Sequence, residues 1–285
     1  MEAKDTVFKS KKTLNLKGKI LDLSVPAVMS IINITPDSFY PGSRAKRDIE
    51  ILKHAEKALA DGTDILDIGG YSSRPGAEEI TEKEELNRVI HGISLITKEF
   101  PDAFISVDTF RSGVAKTAVE EGACIINDIS GGHLDPKMFE TVAALQVPYI
   151  LMHMRGTPKT MTGLNNYDNL VIELLDFFHK SINKLISLGI RDILIDPGIG
   201  FAKNIDQNYE ILKNLNYFSL INVPILIGIS RKSLIFKKLN IKVEEALNGT
   251  TVLNTISLFN GAAILRVHDT KEAVEAVKLF KLTNC

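Results

Sequence analysis

The chain has 285 residues, room for one large barrel or two ordinary domains, and its 45% hydrophobic and 24% charged content is that of a globular protein. Thirty-four basic against thirty-five acidic side chains leave a formal charge of −1, so no general field draws it onto nucleic acid or a membrane surface. An anionic ligand would therefore have to be held by a few placed arginines and lysines.

The lysine-rich start, Met1 to Lys19, has no apolar core of the signal-peptide kind, and residues 1–11 are expected to be flexible. No apolar stretch approaches the ~20 residues of a membrane helix, so the sequence reads as cytoplasmic. The two cysteines, Cys124 in an apolar run and Cys285 at the last position, give neither a disulfide framework nor a zinc spacing. Thr13–Leu16 and Lys19–Leu23 flank Lys17-Gly18 and predict a small β-hairpin placed to plug the bottom of a barrel.

After the hairpin come short apolar, β-branched runs: Ala27–Ile32, Asp64–Ile68, Phe104–Val107, Cys124–Ile126, Val147–Met152, Asp192–Ile195, Ile225–Ile229 and Ala263–Val267. Their near-continuous apolarity predicts parallel strands buried on both faces. Between them lie helical patterns, among them Arg47–Asp61, Glu82–Glu99, Leu170–Leu188 and Lys271–Lys281. Thr81 followed by Glu82, Lys83 and Glu84 is a start signal, and Gly62 and Gly189 stand where a helix end wants positive φ. Eight alternations predict a single α/β domain over residues 1–285, a (β/α)8 TIM barrel with an N-terminal β-hairpin. A doubly wound open sheet is the rival, with a poorer fit in strand count and no phosphate-loop signature.

In such a barrel chemistry gathers at the strand C-termini. The polar residues ending the runs are Asn33, Asp67, Asp108, Asn127, His153, Asp196, Ser230-Arg231-Lys232, and Arg266 with His268. Singly, each has a plain reading: Asp196 before Pro197-Gly198 as a turn former, His153 as packing, His268 as part of a helix start. Their convergence on one rim favours a site. Asp67, Asp108, Asn127 and Asp196 offer acceptors to a heterocycle rich in N–H groups. Arg74, Arg266, His268 and Ser73 offer donors to a phosphate or pyrophosphate, and Lys232 suits either end. Residues 35–43 and 71–77, rich in Gly, Pro and hydroxyls, read as lids over the mouth. No metal-ligand cluster stands out; a Mg2+ carried by a phosphate-bearing substrate and touched by Asn33 is compatible.

These segments resemble the dihydropteroate synthase family. Ile31-Ile32-Asn33-Ile34-Thr35-Pro36-Asp37-Ser38-Phe39 is similar to its first signature, and Asp67-Ile68-Gly69-Gly70-Tyr71-Ser72-Ser73-Arg74-Pro75-Gly76 to its second. Ser106-Val107-Asp108-Thr109, Ile126-Asn127-Asp128, Leu151-Met152-His153-Met154, Asp196-Pro197-Gly198-Ile199-Gly200-Phe201, Ser230-Arg231-Lys232-Ser233 and Arg266-Val267-His268-Asp269 continue the match in order, over roughly residues 12 to 281.

The resemblance implies a transferase of folate biosynthesis. It would join a dihydropterin pyrophosphate to p-aminobenzoate, with Mg2+ as cofactor and sulfonamides as family inhibitors. By it, Asp108, Asn127, Met152, Asp196, Gly228 and Lys232 would hold the pterin, and Asn33, Ser73, Arg266 and His268 the pyrophosphate. Asn33 would also meet the Mg2+, while Arg74, Pro75, Phe201, Lys232 and Ser233 would frame p-aminobenzoate. The catalytic set would be Asp108, Lys232, Arg266 and His268, and late helices would form a homodimer.

Three positions depart from the family pattern: Pro41 where a loop carboxylate is usual, and Tyr71 and Ser73 where Glu and Thr are usual. Two rivals stay open at this point: a methyltetrahydrofolate-binding methyltransferase domain, and a catalytically silent barrel used as a binding module.

Overall fold

The strands close on themselves. A computed structural model of the chain describes residues 12–34, 44–72 and 79–283. In it β3 (Ala27–Asn33), β4 (Ile65–Gly69), β5 (Phe104–Asp108), β6 (Ile125–Asp128), β7 (Tyr149–Met152), β8 (Ile193–Asp196), β9 (Ile225–Ile227) and β10 (Ala262–Val267) follow one another round a closed parallel barrel. The pairing of β10 with β3, Arg266 opposite Met29, closes the ring and excludes the open sheet.

Outside the ring run α1 (Arg44–Ala60), α2 (Glu82–Glu99), α3 (Ser112–Glu121), α4 (Met138–Leu145), α5 (Leu170–Ser187), α6 (Ile205–Lys213), α7 (Ser233–Leu239), α8 (Leu247–Phe259) and α9 (Thr270–Thr283). The helix signals act as expected. Thr81 accepts from the Glu84 amide at 3.2 Å, and Gly62 and Gly189 take φ of 96° and 89° after their helices. None of the described helices is long and apolar enough to cross a membrane. Cys124 is a buried free thiol, and Cys285 lies outside the described residues.

Strand alternation divides the apolar side chains into two bodies. Leu66 and Ile68 face outward into the packing between strands and helices, whereas Ile65 faces inward. The inner body holds Met29, Ile65, Ile125, Ile150, Leu194 and Ile264, and it is closed by Leu14, Leu16 and Leu23. Leu14 and Leu16 belong to the predicted hairpin, β1 (Thr13–Leu16) paired antiparallel with β2 (Lys19–Asp22). It turns at Lys17 and Gly18, both at positive φ, the geometry of a tight two-residue hairpin turn. The hairpin is therefore the plug at the N-terminal end, and the interior's polar residues are left for the other end.

Two strands are shorter than their apolar runs. Pairing of β7 begins at Tyr149 because Pro148 has no N–H to give; its carbonyl still accepts from the Ile126 amide at 3.0 Å. β9 ends at Ile227, since Gly228 leads into a turn in which Arg231 takes φ 54°.

Candidate active site

Parallel register brings the strand ends level. Asn33 pairs with Gly69, Gly69 with Asp108, and Asp108 with Asn127, so four neighbouring strands finish in one layer. Met152 and Asp196 are level with each other on β7 and β8. Inward alternation on β4 also turns Asp67 into the barrel, two residues below Gly69, where it is fully buried.

Arg266, from β10, reaches across this layer. Its Nε donates to Asp67 Oδ2 at 2.6 Å and its Nη2 to Asp108 Oδ2 at 2.5 Å. Asn127 Nδ2 donates to the same Asp67 oxygen at 3.1 Å. Asp67 Oδ1 and Ser106 Oγ, on register-paired residues, are buried with no hydrogen-bond partner among the described residues. Asp67 thus joins Arg266 to Asn127 and forms the floor of the site.

The opposite wall comes from the loops after β8 and β9. Asp196 Oδ1 accepts from the Gly198 amide at 2.7 Å. Lys232 Nζ donates to the Ile199 carbonyl at 2.6 Å and lies 4.9 Å from the centre of the Phe201 ring. Gly228 stands between the two cations: a Cβ placed on it would lie in ordinary contact, at 3.9 Å, with both Lys232 Nζ and Arg266 Cδ. Met152, Met154, Met161, Ile129 and Phe201 form an apolar lining beside them. Ser233 opens α7 directly after Lys232.

Burial sets the ionisation of these groups. It pushes the Asp108 carboxyl up to about 7 against the pull of Arg266, with Asp67 adding to the rise. Asp196 is also raised by burial, opposed by Lys232 and the Gly198 amide. Burial lowers Lys232 to about 8 although Asp196 resists. For Arg266 burial works against the charge, but Asp67 and Asp108 outweigh it and hold the guanidinium above its ordinary value. The mouth is graded: Asp67, Asn127, Met152 and Asp196 are buried, whereas Asn33 and His268 are exposed at the rim. His268 is steadied there by Ser230, whose Oγ lies 3.1 Å from its Nδ1.

Ser73, Arg74 and Pro75, and the first loop from Thr35 to Ser43 with Pro41, lie outside the described residues. Tyr71 is described. Its ring meets Phe110 edge-on at 5.3 Å and faces Arg111, whose guanidinium is tied to buried Glu85 at 2.7 Å and to the Ile80 carbonyl at 2.8 Å. Arg231 does not join the site: it turns away to a two-pronged pair with Asp269 at 2.8 and 2.9 Å.

Known proteins resemble this chain over nearly its full length. The family described as "Pterin binding enzyme" matches residues 29–268. The dihydropteroate synthase of Escherichia coli K12 is 42% identical over 269 residues, 94% of this chain and 95% of its own length. The dihydropteroate synthase of Yersinia pestis, solved with a sulfonamide drug, superposes with a TM-score of 0.88 at 39% identity, covering 95% of this chain and 98% of its own. This chain belongs to the dihydropteroate synthase family. The synthase of Xanthomonas albilineans, solved with 4-aminobenzoic acid, gives the same TM-score at 35% identity over 97% and 99% of the two chains. The likeness over nearly the full length of dihydropteroate synthases favours that family over the methyltransferase domain.

Two residues of the site go beyond the set that motif matching assigns. Asp67 was legible as a strand-end acceptor, but its part in joining Arg266 to Asn127 depends on a contact 199 residues away in sequence. Lys203 gave no signal beyond its place after Phe201-Ala202. Its Nζ lies 3.0 Å from His153 Nδ1, 2.9 Å from the Phe201 carbonyl and 3.1 Å from the Gly198 carbonyl. Burial lowers Lys203 to about 7 against the attraction of Asp196, and burial followed by Lys203 drives His153 down to about 2. His153 is accordingly a neutral ring.

Proposed function

We propose that this chain condenses 6-hydroxymethyl-7,8-dihydropterin pyrophosphate with p-aminobenzoate to give 7,8-dihydropteroate and pyrophosphate, a step of folate synthesis. The observation that carries the residue-level reading is the grading of the barrel mouth, from buried carboxylates and amide to exposed Asn33 and His268. A ligand with a donor-rich ring at one end and an anion at the other matches it. The pterin ring lies against Asp108, Asn127, Met152, Asp196, Gly228 and Lys232, with its N–H groups toward the buried acceptors.

The pyrophosphate lies toward Asn33, Arg266 and His268. Only two of the five N–H groups of Arg266 are engaged by Asp67 and Asp108, which leaves donors for a phosphate oxygen. A single amide oxygen from Asn33 suits Mg2+, which takes few protein ligands and shares its shell with substrate phosphates. When bound, that ion supplies counter-charge to the pyrophosphate. Arg266 and His268 stabilise the leaving group as negative charge gathers on it, and Asp108 faces the positive charge that spreads into the ring. This is electrostatic stabilisation by groups already in position.

The arylamine then attacks the pterin methylene carbon from the side of Phe201, Lys232 and Ser233. Its departing proton goes to solvent or pyrophosphate, so no covalent enzyme intermediate is formed. A homodimer through the late helices is part of the same reading. Val252, Ile256 and Phe259 of α8 and Leu279 and Leu282 of α9 are exposed apolar residues on neighbouring helices, and a patch of this kind favours a protein partner.

The test is direct. Purified protein mixed with dihydropterin pyrophosphate, p-aminobenzoate and Mg2+ should release pyrophosphate and form dihydropteroate only when all three are present. Absence of product from a folded protein that still binds the pterin would overturn the assignment.

A further inference from the structure

We infer that Lys203 is a positioning residue that sets the arylamine wall of the site by drawing the loop after β8 around its ammonium and fastening that loop to the end of β7. The inference rests on the reading of Phe201 as part of that wall.

The chain between Asp196 and α6 follows an unusual path. Gly198, Gly200 and Ala202 all take positive φ, at 73°, 82° and 49°. This curls the segment so that the carbonyls of Gly198 and Phe201 both point at Lys203 Nζ, at 3.1 and 2.9 Å. From the neighbouring strand end His153 contributes its carbonyl at 3.3 Å and its Nδ1 at 3.0 Å. With Lys203 as an ammonium, which can only donate, Nδ1 is the acceptor and the ring proton sits on Nε2. Four acceptors around one cation, two from each loop, are more than packing requires.

The approach of the two loops is close. A Cβ on Gly198 would fall 2.1 Å from the His153 carbonyl oxygen and 3.3 Å from Lys203 Nζ, so only glycine fits beneath the cation. The curl is braced elsewhere by Tyr167, whose hydroxyl donates to the Ala202 carbonyl at 2.9 Å, and by Asn208, which accepts from the Gly200 amide at 2.6 Å. Asp196, by contrast, is fixed in its backbone by the pairing of β8 with β7, and its side chain meets the curl only at the Gly198 amide. Loss of the cation should therefore release Phe201 more than the pterin acceptors.

The experiment compares Lys203→Met, Tyr167→Phe and Phe201→Ala. It measures KM for p-aminobenzoate by steady-state kinetics and the dissociation constant of dihydropterin pyrophosphate by titration calorimetry. Lys203→Met should raise the arylamine KM about tenfold, the loss of one charge-assisted interaction, while pterin affinity changes by less than about twofold. Tyr167→Phe should act in the same direction by about two- to threefold, and decides the matter if Lys203→Met does not fold. An unchanged arylamine KM in the folded lysine variant, or an equal loss for both substrates, overturns the inference. Phe201→Ala separates the two readings. If it leaves KM unchanged, the assignment of the wall fails; if it raises KM while Lys203→Met and Tyr167→Phe do not, only the role of Lys203 fails.

Discussion

Arg266 on β10 reaches over β3 to Asp67 on β4, Nε to Oδ2 at 2.6 Å, and it is this contact that holds the guanidinium level with the ends of four strands. Asp67 is fully buried and also carries Asn127, whereas Asp108 meets Arg266 from a position about 15% exposed. The two acids therefore differ in what their loss costs.

Asp67→Ala leaves Arg266 and Asn127 without their buried acceptor and should cost about 3–5 kcal/mol of stability. Asp108→Ala leaves Arg266 still paired to Asp67 and should cost about 1–2 kcal/mol, while turnover falls about 10²–10³-fold. Urea midpoints beside turnover numbers test this. A folded Asp108→Ala that is the less stable of the two, or that keeps near-wild-type turnover, would contradict the division of roles.

Much of this was legible in the sequence because it is local. Strand alternation fixes which residues of β4 face inward, so Asp67, legible as the polar residue at the end of an apolar run, enters the barrel on the same side as Ile65. The hairpin turn at Lys17-Gly18, the cap at Thr81 and the helix ends at Gly62 and Gly189 each depend on a few adjacent residues, and each is found in its expected place. What stayed hidden depends on contacts between distant segments. Nothing near Lys203 announces that His153, 50 residues earlier, shares its ammonium. Arg231 and Lys232 are adjacent and equally basic, yet the positive φ at Arg231 sends one out to Asp269 and leaves the other over Phe201.

The ionisation of the site predicts its pH dependence. Asp108, raised to about 7, loses its negative charge below that value, and Lys232, lowered to about 8, loses its positive charge above it. If both charges are needed, kcat/KM for the pterin substrate is a bell with limbs near 7 and 8. Lys232→Arg should retain some activity and carry the alkaline limb out of range, because a guanidinium stays charged beyond pH 12. An alkaline limb unmoved in that variant would assign it to another group.

His153 predicts an acid weakness of the fold that is separate from catalysis. Its folded value is about 2 against an ordinary 6.5. Between those values the unfolded chain binds a proton here that the native chain does not, so stability rises with pH across the window and is lost on acidification. The slope from this one ring is about 1.4 kcal/mol per pH unit, or about 2 kcal/mol lost between pH 7 and pH 5. Asp108 works the other way in part of the range, because its folded value is raised. The ring's share is therefore read from the difference between wild type and His153→Gln, in which the amide oxygen can still accept from Lys203. Urea unfolding at pH 5, 6 and 7 should show the wild type losing about 2 kcal/mol more than the variant between the two ends. Parallel curves would mean that His153 takes up its proton in the folded state, and that Lys203 gives way to let it.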